Sequence, residues 1–205
     1  MSTNVIGAFG LRPVRYLSGA PYNGSIQKCY VSANYATALF IGDPVLFTTT
    51  LADKDPTGRY PTVIASAGTA AALIRGVIVG IEPDPDDLGK VYIPASTGGY
   101  VYIAWATDDL VFAIRGDGGG TPSAVFIGQN AVMKATAGGS TSTGMSGFHL
   151  DEGTTTAPNT TQNFTLHIIG TQDTEDNTLA DNAVYEVLIN TNENTTGRFL
   201  GITAS

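Results

Sequence analysis

The sequence predicts an all-β protein, and three observations predict it. Short runs rich in Val, Ile, Tyr and Phe recur along the chain, bounded by Gly, Pro, Asp and Asn. Several alternate apolar and polar residues with the two-residue period of a half-buried strand. No stretch longer than about ten residues keeps a helical period with caps. Turn signals every 8–12 residues or so fit a β-sandwich, a jelly roll or a β-barrel.

The elements follow in chain order. Residues 1–30 read as an extended N-terminal arm. Val5, Ile6, Phe9, Leu11, Val14 and Tyr16 are scattered among Gly7, Gly10, Gly19, Pro13 and Pro21, a spacing that fits neither a helix nor a long strand. Pro13 removes a donor and pushes Arg12 toward extended geometry. Ordering such a segment costs about 1–2 kcal/mol per residue, so its own body or a neighbouring subunit must hold it. Strands are expected at 39–49, 72–82, 90–95, 100–106, 109–115, 124–127, 164–170 and 183–190. Gly42–Asp43–Pro44 reads as a turn or bulge inside the first of these. The best helical candidate, 65–73, is interrupted by Gly68 and Thr69. Leu110, Phe112 and Ile114 share one face, as do Phe164, Leu166 and Ile168, and Tyr185, Val187 and Ile189. These faces define the expected core. Residues 31–134 read as the main β domain. Residues 135–205 read as a Gly/Thr-rich excursion and a second β unit, continuous with the first or separate from it.

Composition narrows the function. The chain has 205 residues and a net charge of -8. That excludes an ordinary nucleic-acid binder, which needs a basic patch. Residues 1–42 carry Arg12, Arg15 and Lys28 and no acid, whereas Arg198 is the only Lys or Arg after Lys134. The chain thus has a basic head and an acidic tail. No apolar run approaches the roughly 18 residues of a membrane span, so no membrane partner is expected. The start shows no apolar h-region, so no export is expected. Cys29 stands alone, which rules out an intrachain disulfide, and reads as a small half-buried residue.

Few residues suggest chemistry. His149 and His167 match no metal spacing. The carboxylates at 82–87, 108–109 and 173–177 lack the alternation of a calcium loop, and the first reads as a strand closure and turn. Arg115–Gly116–Asp117 and the glycines after it read as a turn rather than an adhesion or phosphate motif. Asn23, Asn159, Asn163 and Asn194 head sequons that a Thr-rich chain produces by chance. No enzyme, cofactor or metal site is expected.

The segments AFGLRPVRYLSGAPYNG, LFIGDPVLF, IRGVIVGIE, DDLVFAIR, GMSGFHLD, YEVLIN and the closing GI of LGIT, in that order, resemble small head proteins of tailed bacteriophages, the decoration or cement proteins. The resemblance runs from the arm to residue 202. It implies a non-enzymatic protein on the outer capsid surface of a virion, assembled in the host cytoplasm. Its partners would be the major capsid protein and other copies of itself, as a trimer or else a dimer. The interface candidates are Phe9, Leu11, Val14 and Tyr16 as apolar pegs and Arg12 and Arg15 as carboxylate partners. An arm of 30 residues can reach up to about 100 Å. The alternative keeps Phe9 and Tyr16 in the protein's own core. A rival reading is a carbohydrate-binding sandwich, with Tyr22, Tyr35, Tyr60, Tyr92, Tyr100 and Tyr102 as candidates for a sugar platform.

Overall fold

The computed structural model describes residues 4, 7–48, 54–135, 138–153 and 156–192. Among them there is no α-helix. The strands are β1 (Arg12–Tyr16), β2 (Gln27–Val31), β3 (Pro44–Phe47), β4 (Val63–Ala65), β5 (Gly76–Ile81), β6 (Gly99–Trp105), β7 (Leu110–Arg115), β8 (Asn130–Ala131), β9 (Met133–Ala135), β10 (Phe148–Leu150), β11 (Leu166–Thr171) and β12 (Val184–Ile189). One five-stranded sheet runs β1-β7-β12-β11-β8, a second runs β2-β6-β5-β3-β4, and β9 and β10 form a separate hairpin. Every strand pairing is antiparallel.

The expected alternation builds the first core. Leu110, Phe112, Ile114, Leu166, Ile168, Tyr185, Val187 and Ile189 all point inward, and Leu11 joins them. Val77, Ala104 and Ala106 of the second sheet close this core from across the sandwich. The other face of the second sheet surrounds a core of its own: Cys29, Val31, Val45, Val63, Ile78, Val101 and Ile103, covered by Leu39 and Ile93. A bridge between Tyr30 and Thr62 brings the start of β4 to β2, with the Tyr30 N–H donating to Pro61 O at 2.9 Å. The second sheet therefore curls back on itself almost as a barrel, which protects its edges. Arg75 lies over Phe47 at 4.5 Å and Trp105 at 5.3 Å.

The structure differs from expectation in particular places. Residues 124–127 are not a strand: Ala124–Phe126 is a 3-10 turn capped by the Ser123 hydroxyl. Val125 is 67% exposed and Ile127 45%, and of this run only Phe126 packs against the first core, so it has no alternating strand face to bury. Residues 90–95 contribute only a bridge between Ile93 and Leu39. Residues 27–105 hold every strand of the second sheet, β1, β7, β8, β11 and β12 make the first, and residue 134 lies in β9.

The described part of the first 30 residues lies along the chain's own body. Asn4 is buried, donating to Thr178 O and Asp181 O at 2.9 Å and accepting from the Thr178 N–H. Leu11 is 1% exposed, and its N–H donates to Gly42 O at 2.9 Å. Burying one leucine is worth about 1.5–3 kcal/mol. β1 pairs with β7, with a bulge between Pro13 and Arg15, and residues 20–22 fold back along its outer edge. Val5 and Ile6 lie outside the described residues, as do Arg198, the sequon at Asn194 and the closing GI.

Candidate functional site

The N-terminal segment ends its approach to the body in a shallow groove. Gly10 and Gly42 meet there, at φ +68° and +97°. A Cβ on Gly42 would collide with the Phe9 carbonyl, and one on Gly10 with the Gly42 carbonyl, so only glycine permits this close crossing. The Gly42 N–H continues the junction to Ile78 O at 2.7 Å, and Ser146 N–H to Ile41 O at 2.8 Å. The result is a cavity of about 270 Å³, lined mainly by Phe9, Leu11, Arg12, Ile41, Val79 and Met145, with Pro13, Tyr22 and Ile78 completing its walls.

A carboxylate stands beneath it. Asp43 is 5% exposed; its Oδ2 accepts from the Phe40 N–H at 2.9 Å, and Ser146 donates a second bond. Burial pushes its carboxyl up to about 6, against the pull of those two hydrogen bonds. The rim is cationic. The Arg12 guanidinium lies 5.0 Å above the Phe9 ring and that of Arg115 5.5 Å from the same ring. Burial, and then the charge of Arg12, lowers the Arg115 pKa.

The six expected interface residues separate here. Phe9, Leu11 and Arg12 come together in the groove. Phe9 is half-buried and Arg12 exposed, but Leu11 belongs to the first core. Arg15 meets a carboxylate of its own chain, Glu186, at 2.6 Å. Arg15 pairs across β1–β7 with Val111, and Glu186 across β12–β7 with Ala113, so this ion pair bridges over β7. Tyr16 packs against the first core and stands 6.5 Å from Tyr22. Val14 is half-buried at the bulge. The sequence reading missed Ile41, Ile78, Val79 and Met145. Met145, isolated among Gly, Ser and Thr and 39% exposed, was the one signal available for this wall.

The other motifs serve the fold. The Asp117 carboxylate is only 2% exposed and faces Lys134 at 3.7 Å, so residues 115–117 do not present an adhesion loop. Glu152, 1% exposed, accepts from the Tyr185 hydroxyl at 2.8 Å and the Gly118 N–H at 2.7 Å. Burial raises its pKa. Gly116 and Gly120 leave room for Glu152, which explains the glycines of this stretch. The His167 ring meets Asn130 Oδ1 at 2.7 Å. Burial pushes the Cys29 thiol up to about 12, leaving it unreactive. The candidate sugar platform is divided. Tyr60 and Tyr100 stand together, but Lys28 lies over both rings, at 5.2 and 4.3 Å. Tyr92 stacks on Phe40, and the Tyr35 hydroxyl accepts from the Ala65 N–H. Among the described residues no group of three or more His, Cys, Asp or Glu could hold a metal ion.

Compared with models of protein families, with curated proteins and with solved structures, the chain matches none.

Proposed function

We propose that this protein is a capsid cement protein of a tailed bacteriophage. It binds the outside of the icosahedral shell, ties neighbouring major capsid proteins together and stabilises the expanded head. It does so without catalysis, cofactor, nucleic acid or membrane.

One observation carries the reading. The groove is built from the segments on which the resemblance rests. AFGLRPVRY supplies Phe9, Leu11, Arg12 and Pro13; LFIGDPVLF supplies Ile41; IRGVIVGIE supplies Ile78 and Val79; GMSGFHLD supplies Met145. Pieces far apart in sequence converge on one apolar surface with a cationic rim. Such a surface suits a docking partner better than a small polar substrate. The low charge content, with Asp43, Asp55, Asp151 and Glu152 turned inward, limits the exposed charge that would oppose close packing against neighbours.

The test is co-sedimentation of the full-length protein with empty, expanded phage shells. Saturation at a fixed number of copies per shell is the expected result. No binding to shells overturns the reading, and specific glycan binding in its place would favour the rival class.

A further inference from the structure

Beyond the groove two more apolar side chains are exposed, one reached by a close contact and the next by a step along the chain. Arg12 covers Phe9; Phe9 and Met145 line the groove; a Cβ on Gly144, beside Met145, would collide with the Val91 carbonyl. Val91 is 36% exposed, and Leu88, three residues earlier, is 79% exposed, the most open large apolar side chain among the described residues. Leu88 projects from an acidic turn. The Asp84 carboxylate accepts from the Asp86 N–H at 3.0 Å and binds Lys90 at 2.9 Å, and the Asp87 carboxylate accepts from the Gly89 N–H at 3.1 Å. This turn is thus set before any partner arrives, which lowers the cost of docking it. Asp84 is neutralised by Lys90, whereas Asp86 and Asp87 face solvent.

The apolar band is therefore cationic at the Arg12 end and anionic at the Asp86–Asp87 end. Among the described residues no carboxylate pairs with Arg12. A surface of this kind is complementary to itself when turned by a half-rotation, because each positive end then meets a negative one. We propose that the band pairs with the same band of a second copy across a two-fold axis. Arg12 of each chain meets Asp86 and Asp87 of the other, and Leu88 of each enters the groove at Phe9 and Met145 of the other. The two copies of each contact double the gain from one complementary pair of patches. The pairing names a second copy as the occupant of the same groove that carries the shell reading, so in the paired protein the shell is met by other surfaces.

Sedimentation equilibrium of the full-length protein, without shells, tests it. The expected mass is about twice 21.3 kDa, with dissociation promoted as salt rises to about 1 M. Leu88→Asp changes a side chain that is mostly in water, so its thermal midpoint should stay put while the mass falls to that of one chain. Arg12→Asp and the double variant Asp86→Arg/Asp87→Arg should each be monomeric. Mixed together, those two variants should recover a dimer, since every facing pair is again opposite in charge. A single-chain mass for the native protein, a threefold mass, a dimeric Leu88→Asp, or a failure of the mixed variants to recombine overturns the proposal. Loss of shell binding with the dimer intact would instead remove the cement reading and leave the pairing standing.

Discussion

Replacing Asp43 by Asn should make the protein more stable at neutral pH and remove part of its acid dependence. Asp43 has an ordinary carboxyl value of 3.8 when unfolded and about 6 when folded. Folding therefore favours the protonated form. The stability this group contributes is fully present below about pH 4 and is lost as pH rises through about 6. A shift of that size corresponds to about 3 kcal/mol at roughly 1.4 kcal/mol per unit. Asn keeps the oxygen that accepts from Phe40 and offers an amide to Ser146, whose Oγ already accepts from the Phe148 N–H at 3.1 Å. It carries no charge to desolvate. The assay is urea unfolding of the native and Asp43→Asn proteins between pH 4 and 8. The gap between the two curves should be small at the acid end and widen to about 1–3 kcal/mol in favour of Asn by pH 8. Taking the difference cancels Asp55, whose pKa is lowered. Burial works to raise it, but hydrogen bonds from the Thr57 hydroxyl and the N–H groups of Arg59, Thr57 and Tyr60 outweigh that effect. A gap that stays constant across this range, or one that favours Asp at pH 8, would refute the account of the Asp43 site.

Other perturbations test the fold around the groove. Leu11→Ala should cost about 2–5 kcal/mol in urea unfolding, because a fully buried side chain is truncated; a loss under about 0.5 kcal/mol would remove Leu11 from the core. Deleting residues 1–20 takes away β1 and should abolish cooperative unfolding, rather than leave a sound body without an arm. Gly42→Ala combines a positive φ with a backbone collision and should cost at least about 2 kcal/mol or prevent folding. Tyr185→Phe leaves Glu152 without its hydroxyl donor in a buried site. It should cost about 1–3 kcal/mol by thermal or urea unfolding, and a neutral substitution would show that Glu152 finds another partner.

The strands of the first core could be read directly from their apolar runs: Tyr185, Val187 and Ile189 announce their direction by alternation, and β7 by a continuous run, since Val111 and Ala113 are buried as fully as Leu110, Phe112 and Ile114. β1 could not, since Pro13 and the bulge before Arg15 break the two-residue period where the strand pairs. The acids were legible only as a count. Counting charge gave an acidic tail without saying which acids turn inward: Asp173, Glu175, Asp176 and Asp181 are exposed, whereas Asp151 and Glu152 are both only 1% exposed. Burial of a carboxylate depends on donors brought by distant residues: Tyr185 and Gly118 for Glu152, and, closer in sequence, Gly153 and Thr156 for Asp151. The groove was half legible. Phe9 and Arg12 stood out in an acid-free segment, while Ile41, Val79 and Met145 join them only through tertiary contacts. No local pattern marks such a meeting.

The path of the chain through the two sheets sets an order of events during synthesis. β2 to β6 form one uninterrupted unit and can fold as they emerge. β1 is made before them, yet its partner β7 comes after, and β12 follows later still. Non-local pairings of this sort form late, once the intervening chain has been ordered. The groove likewise needs residue 9 at one end of its lining and residue 145 at the other. A nascent or prematurely terminated chain that stops short of Met145 lacks the complete groove, whatever the state of its early strands. The fold thus acts as a check on completeness, because only a chain built through Met145 has the finished groove.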